Sequence, residues 1–275
     1  MRSAFRHGLS YCRHKGFTLV EMVTVTIILG ILVIGVSSII LLGTRIFVDS
    51  TSVDQVLSQS RFAIERMTRE LRNALPQSIR VRTDSVSYQC IEFVPIIASA
   101  SYTQLAVVPD SASQTATVML PANGISANDQ MVVYPLSADD IYNADPDETV
   151  GRLFDIQSIS ANTITFERAV QFAEASPQLR YFMVNDAVSY CFESDGAVRR
   201  YQGYNKFNLT QPAPAQMGTG VLMAEGVAND IATQLPIHFT NATLLNNAVV
   251  QLTPIFNVNQ QVFQYQHQVQ VVNVP

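Results

Sequence analysis

The chain has 275 residues, enough for one large domain or two small ones. Hydrophobic residues make up 48% and charged residues 14%, and the twelve Gly and twelve Pro fit a β-rich, loop-rich globular region rather than a disordered chain. Arg2, Arg6, Arg13 and Lys15, with no acid, give residues 1–16 a charge of +4, against −9 for residues 17–275; so acidic a body excludes broad nucleic-acid binding, which needs positive charge to release counterions from phosphates.

A basic head before an apolar segment and an acidic body is the pattern of a chain that keeps its N-terminus in the cytoplasm and exports the rest. Met22 to Gly43 is that apolar segment, 22 positions without a charged residue. As a helix it covers about 33 Å, enough to cross a hydrocarbon core about 30 Å thick. An ordinary secretory signal has a shorter apolar core and a small-residue cleavage site after it; this run is too long and has no such site. Glu21, at its edge, is costly inside a membrane, by at least ~2.5 kcal/mol on insertion scales. Such a carboxylate either has a partner and a task or snorkels to water at the interface.

Beyond the apolar run the helix is expected to continue in amphipathic form to about Leu75, with Val53, Val56, Leu57, Ile64, Met67, Leu71, Ala74 and Leu75 on one face. Arg61–Glu65, Glu65–Arg69 and Arg66–Glu70 are candidate i,i+4 charge pairs, and Pro76 ends the helix. The series Arg61, Arg66, Arg69, Arg72 reads as a solvated face, with an anion-binding strip as the alternative. Val86 to Val94 is expected as a strand ended by Pro95. Arg180–Val184, Ala187–Glu193 and Ala197–Tyr204 are expected as three successive antiparallel strands, turning at Asn185-Asp186 and at Ser194-Asp195-Gly196. Val249–Phe256 and Val262–Val272 supply two more, and residues about 98–178 and 205–245 are large inserts.

Cys12 lies in the head, Cys90 and Cys191 in the body. If the head is removed, an even pair remains in an oxidising compartment, where a disulfide is favoured; two buried thiols are the alternative. His7, His14, His238 and His267 are scattered, and no zinc spacing, G-x-S-x-G elbow or phosphate loop occurs, so no catalysis is expected. Oxygen ligands crowd only in Asp139, Asp140, Asp145, Asp147 and Glu148, a calcium candidate whose spacing is not that of an EF-hand. Otherwise no cofactor or metal is expected.

Gly16-Phe17-Thr18-Leu19-Val20-Glu21, behind a basic head and before an apolar helix, resembles the class III signal of type IV pilins and type II secretion pseudopilins. Ser58 to Ala74 and Cys90 to Ile96 resemble minor pilins of the PilW/GspJ type, those of mannose-sensitive haemagglutinin (MSHA) pili among them. The resemblance implies an α+β, type IV pilin-like fold: a long N-terminal helix packed on an antiparallel β-sheet, with large inserts. It divides the chain into a cleaved leader (1–16), a transmembrane helix (17–43), an amphipathic half-helix (44–76) and a β-rich head (77–275). A prepilin peptidase would cut between Gly16 and Phe17 and N-methylate Phe17, and Glu21 would neutralise the amine of a neighbouring subunit during assembly. The implied partners are that peptidase, major and minor pilins and the pilus assembly platform. The chain would cross the inner membrane once, with its head in the periplasm until it joins a pilus at the cell surface. Priming or capping an MSHA-type pilus is the implied role; a J-type secretion pseudopilin and a pilus-tip adhesin are the alternatives. One departure is Ser38, where pilins often carry proline.

Overall fold

The computed structural model describes residues 16–271 except Ser85, Asn123, Asn128, Pro146 and residues 243–245. The basic head, with His7, Cys12 and His14, and the last four residues lie outside the described residues. The chain divides between Ser52 and Val53 into two compact units, a division that falls within one helix, α1 (Leu19–Arg72).

The remaining elements follow in chain order. They are β1 (Arg80–Asp84), β2 (Tyr88–Phe93), β3 (Ile96–Gln104), β4 (Ser113–Val118), β5 (Gln130–Val132), the single turn α2 (Asp139–Tyr142), β6 (Val150–Gly151) and β7 (Leu153–Ser160). Then come β8 (Thr163–Phe172), β9 (Arg180–Val184), β10 (Val188–Glu193), β11 (Val198–Gln202), β12 (Val221–Ala224) and β13 (Ile237–Thr240). The last four are β14 (Ala248–Leu252), β15 (Ile255–Val258), β16 (Gln261–Gln264) and β17 (His267–Val271). A long N-terminal apolar helix with antiparallel-rich sheets makes this an α+β fold of the pilin-like kind.

Within the unit that begins at Val53, the C-terminal half of α1 is covered by sheet. Ala63, Ile64, Met67 and Leu71 recur at three- and four-residue spacing and are buried. They share one core with Ile91, Phe93, Tyr190, Phe192 and Val198 of the five-stranded sheet β1-β2-β10-β11-β12, and with Val250, Leu252, Val269 and Val271 of the three-stranded sheet β13-β14-β17. The side-chain amide of Gln89 joins these two sheets as a peptide group would: it donates to the Ile237 carbonyl at 2.9 Å and accepts from the Ile237 N–H at 2.9 Å. Truncating Leu71, which is fully buried, should cost about 3 kcal/mol through lost transfer energy and the cavity left behind. Urea unfolding of the Leu71→Ala chain in detergent checks this; an unmoved midpoint would place Leu71 outside the core.

The helix ends earlier than its apolar spacing predicts. After Arg72 the chain is taken over by the β2–β3 junction: Leu75 N–H donates to Val94 O (2.8 Å), Ile96 N–H to Asn73 O (2.9 Å), and Ala74 bridges Pro95. Of the three expected helix charge pairs, Arg66–Glu70 closes at 3.0 Å, and among the described residues the other two do not.

The strand reading needs two corrections. Arg180–Val184 and Val188–Glu193 do not form a hairpin. β9 pairs with β3 and β5 in one sheet, β10 with β2 and β11 in another, and Asn185–Ala187 carries the chain between them. The partner strands cross at the same level, β2 to β3 through Val94-Pro95, where proline lacks the N–H a ladder needs. The second correction concerns the C-terminal region, where each expected strand is two. Thr253-Pro254 separates β14 from β15, and Tyr265-Gln266 separates β16 from β17.

The insert at about 98–178 has its own architecture. Its strands, with β9, run β4-β3-β9-β5-β7-β8, and β4 pairs with both β3 and β8, so the ladder closes on itself, with β6 attached in parallel to β8. Closure removes the unpaired edges that an open sheet presents. Phe154, Phe166, Phe172, Met131, Tyr181 and Met183 fill it, with Phe154 and Phe172 edge-to-face at 4.9 Å.

Candidate assembly site

Gly16, Phe17 and Thr18 precede the helix, and Phe17 is 75% exposed. A Cβ at Gly16 would meet nothing within 4 Å among the described residues.

Thr18 starts α1. Its hydroxyl accepts the Glu21 N–H at 3.3 Å and its carbonyl accepts the Met22 N–H at 3.2 Å, satisfying donors that a helix start otherwise leaves orphaned. Thr18-Leu19-Val20-Glu21 is thus also the T-x-x-E capping signature, a signal present in the sequence that the reading of Glu21 as a membrane carboxylate passed over. Glu21 sits in the first turn, where a negative charge is favoured by the helix dipole. It is exposed on this subunit.

Four hydroxyl side chains in the apolar run or directly after it are satisfied by the helix itself. Thr24, Thr26, Ser38 and Thr44 hydroxyls donate to the carbonyls of Glu21 (3.0 Å), Val23 (2.9 Å), Ile34 (3.0 Å) and Leu41 (3.0 Å). These four therefore offer no free donor to lipid. At Ser38 the helix runs on unbroken, its hydroxyl back-bonded where a proline would remove a rung. Gly30, Gly35 and Gly43 also have nothing within 4 Å of a built Cβ. This is the one helix among the described residues long and apolar enough to cross a membrane.

Cys90 and Cys191 are joined by a disulfide, their sulfurs 2.02 Å apart, and sit directly opposite each other on β2 and β10. Both are fully buried, on the face of the five-stranded sheet that packs on Ile141 and Tyr142 of α2.

The acidic loop does not gather its carboxylates. Asp140 accepts the N–H groups of Leu136 (2.8 Å) and Ser137 (2.9 Å) and lies 3.7 Å from Arg152. Asp147 pairs with Arg168 at 2.7 Å, while Asp145 accepts the Asp147 N–H at 2.9 Å. Asp139 and Glu148 are exposed. Among the described residues no three His, Cys, Asp or Glu side chains are placed to hold a metal ion.

A buried polar network stands outside every sequence expectation. Glu92 of β2, with no exposed surface, accepts from Arg80 of β1 and from the Tyr204 hydroxyl at 2.8 Å. Arg80 lies 3.7 Å over the Tyr142 ring and donates to the carbonyls of Asn208 (2.8 Å) and Leu209 (3.2 Å). Burial raises the Glu92 carboxyl, against the opposing pull of Arg80 and Tyr204. Burial also lowers the Lys206 ammonium to about 8, although it donates to Gln130 Oε1 and the Asn185 carbonyl.

A family model described as the prokaryotic N-terminal methylation motif matches residues 12–37. That motif is the prepilin signal, and with the apolar helix it supports a type IV pilin-like or pseudopilin-like protein. Both are compatible with membrane anchoring, with processing by a prepilin peptidase and with association with other pilins. No curated protein and no solved structure matches the chain.

Proposed function

We propose that this chain is a minor pilin that primes or caps a type IV pilus of the MSHA kind. It is cut between Gly16 and Phe17, methylated on the Phe17 amine, and assembled through α1. The observation that carries the reading is the methylation motif on an exposed apolar helix that is capped at Thr18 and carries a carboxylate in its first turn. The Glu21 carboxylate meets the Phe17 amine of an adjacent subunit. In low dielectric two such charges attract strongly, whereas either alone is costly. A head with a closed strand ring and three further sheets is bulky, which suits a tip or initiation complex better than a subunit repeated along a shaft. Ser58 to Ala74 and Cys90 to Ile96 add the resemblance to MSHA pilus biogenesis protein O. The role is assembly, with no catalytic chemistry proposed.

Mass spectrometry of the chain recovered from its own membranes should give an N-methylated Phe17 N-terminus. A retained leader (residues 1–16), or a cut after Gly43, would overturn the proposal. Glu21→Val is expected to insert and be processed normally but to lower piliation by at least ~10-fold, the loss of a charge pair in low dielectric. Normal piliation would remove the role given to Glu21, and lost exoprotein secretion with intact pili would favour the secretion pseudopilin.

A further inference from the structure

The arginine series of α1 is not uniform. Arg66 is tied to Glu70, which also takes Arg200 of β11 at 3.0 Å. Arg61, Arg69 and Arg72 have no ion-pair partner among the described residues. With Glu65 they line a groove of about 530 Å³, whose floor includes Ile64 and Thr68 and whose far wall is Tyr265-Gln266-His267. Thr68 is only 7% exposed, yet its hydroxyl makes no hydrogen bond, and neither does the buried Nε2 of His267. Both groups are already withdrawn from water without partners, each at a cost of about 1–3 kcal/mol, beside a groove that stays open.

We infer that this groove is the docking site for an extended acidic segment of a neighbouring pilin-like subunit, an inference that rests on the assembly role proposed above. From position 61 to position 72 the helix rises about 16 Å, which five residues of extended chain span at about 3.3 Å each. The charges along it read plus, minus, plus, plus. A peptide with carboxylates opposite Arg61, Arg69 and Arg72 and a donor opposite Glu65 matches that order. A uniform polyanion does not, because Glu65 repels it, and it has no use for the apolar floor. Arginine favours carboxylates through its planar two-pronged geometry. Arg80, Arg152, Arg168 and Arg199 are engaged with the chain's own acids, whereas Arg61, Arg69 and Arg72 lie together on one helix face with no such partner among the described residues.

The test places a photo-activated crosslinking residue at exposed Gln266 of the full chain, in cells that also make its pilus partners. The expected product joins a second pilin-like subunit through a peptide holding at least two carboxylates. Arg61→Glu, Arg69→Glu and Arg72→Glu together should lower the yield at least ~10-fold, while lysine at all three keeps it within about 2-fold, as expected of charge steering. Raising salt from about 0.05 to about 0.5 M should lower the unmutated yield as well, through screening of exposed charges, which tests the groove without any folding risk. A capture that is salt-insensitive, maps to a segment without carboxylates, or yields only lipid would overturn the inference. The same samples report the N-terminus. A chain processed at Gly16 whose probe captures no pilin-like subunit loses the groove alone, and an unprocessed chain loses the assembly reading with it.

Discussion

Replacing Cys90 and Cys191 together by alanine should lower the stability of the Val53–Pro275 unit by about 4 kcal/mol. The bridge spans 101 residues, and closing a loop of about 100 residues removes entropy from the unfolded chain worth about 4.7 kcal/mol in the chain-entropy model. The location adds to the effect of the loop. β2 and β10 are neighbouring inner strands of the five-stranded sheet, and every residue of β2 is buried, so both of its faces are packed. One face meets α1 and the other meets α2 and the start of the strand ring. The backbone ladder from Val188↔Phe93 to Glu193↔Tyr88 remains when the sulfurs are gone, so the variant should fold, with fewer kilocalories in reserve. Urea unfolding of the full chain in detergent, with and without reductant, measures the difference. Reductant should act slowly on the native protein, since both sulfurs are buried, and quickly once denaturant opens it. A stability change below about 1 kcal/mol would contradict the loop-closure account.

How much of this was legible in the sequence differs by region, for physical reasons. The membrane-length helix was plain because hydropathy is a local property, and 22 uncharged positions need no partner to be read. The pairing of Cys90 with Cys191 came from counting, which is indifferent to fold. The strand ring was illegible. β3, β4, β7 and β8 each carry register shifts, so the strict alternation that marks a half-buried strand is broken within them. Asn185-Asp186 between two apolar runs has the composition of a hairpin turn, and composition does not distinguish a chain that folds back from one that passes to another sheet. At the N-terminus the motif was readable, but Thr18 as the helix cap was missed because the same letters already had a reading. The groove could not be found from the arginines alone: its opposite wall lies about 200 residues further on, and only folding shows which arginines are left unpaired.

Arg80→Met should be the most damaging single substitution in the buried polar network, costing about 3–5 kcal/mol, the usual effect of stranding one partner of a buried ion pair. Arg80 answers a Glu92 carboxylate that has no exposed surface, stacks on Tyr142 and anchors the Asn208–Leu209 backbone, so its loss reaches β1, α2 and the segment after β11 together. The pH dependence separates the stranded charge from the lost packing. Burial already holds the Glu92 carboxyl above its ordinary value, and removing Arg80 takes away the largest pull in the other direction. A carboxyl raised on folding contributes stability that is full below its unfolded pKa and is lost as pH climbs through its folded pKa. The Arg80→Met deficit should therefore be greatest near neutrality and shrink as the pH falls toward the ordinary carboxylate range, where Glu92 takes up a proton and needs no counter-charge. Adding Glu92→Gln to Arg80→Met should recover at least about 1 kcal/mol at neutral pH, because neighbours in one network do not act additively. A deficit that is flat with pH, or a double variant that loses the sum of the two single effects, would mean that Arg80 acts through packing alone. The Glu92 carboxyl would then be neutral in the native protein already, with Tyr204 and the surrounding sheet sufficient to hold it.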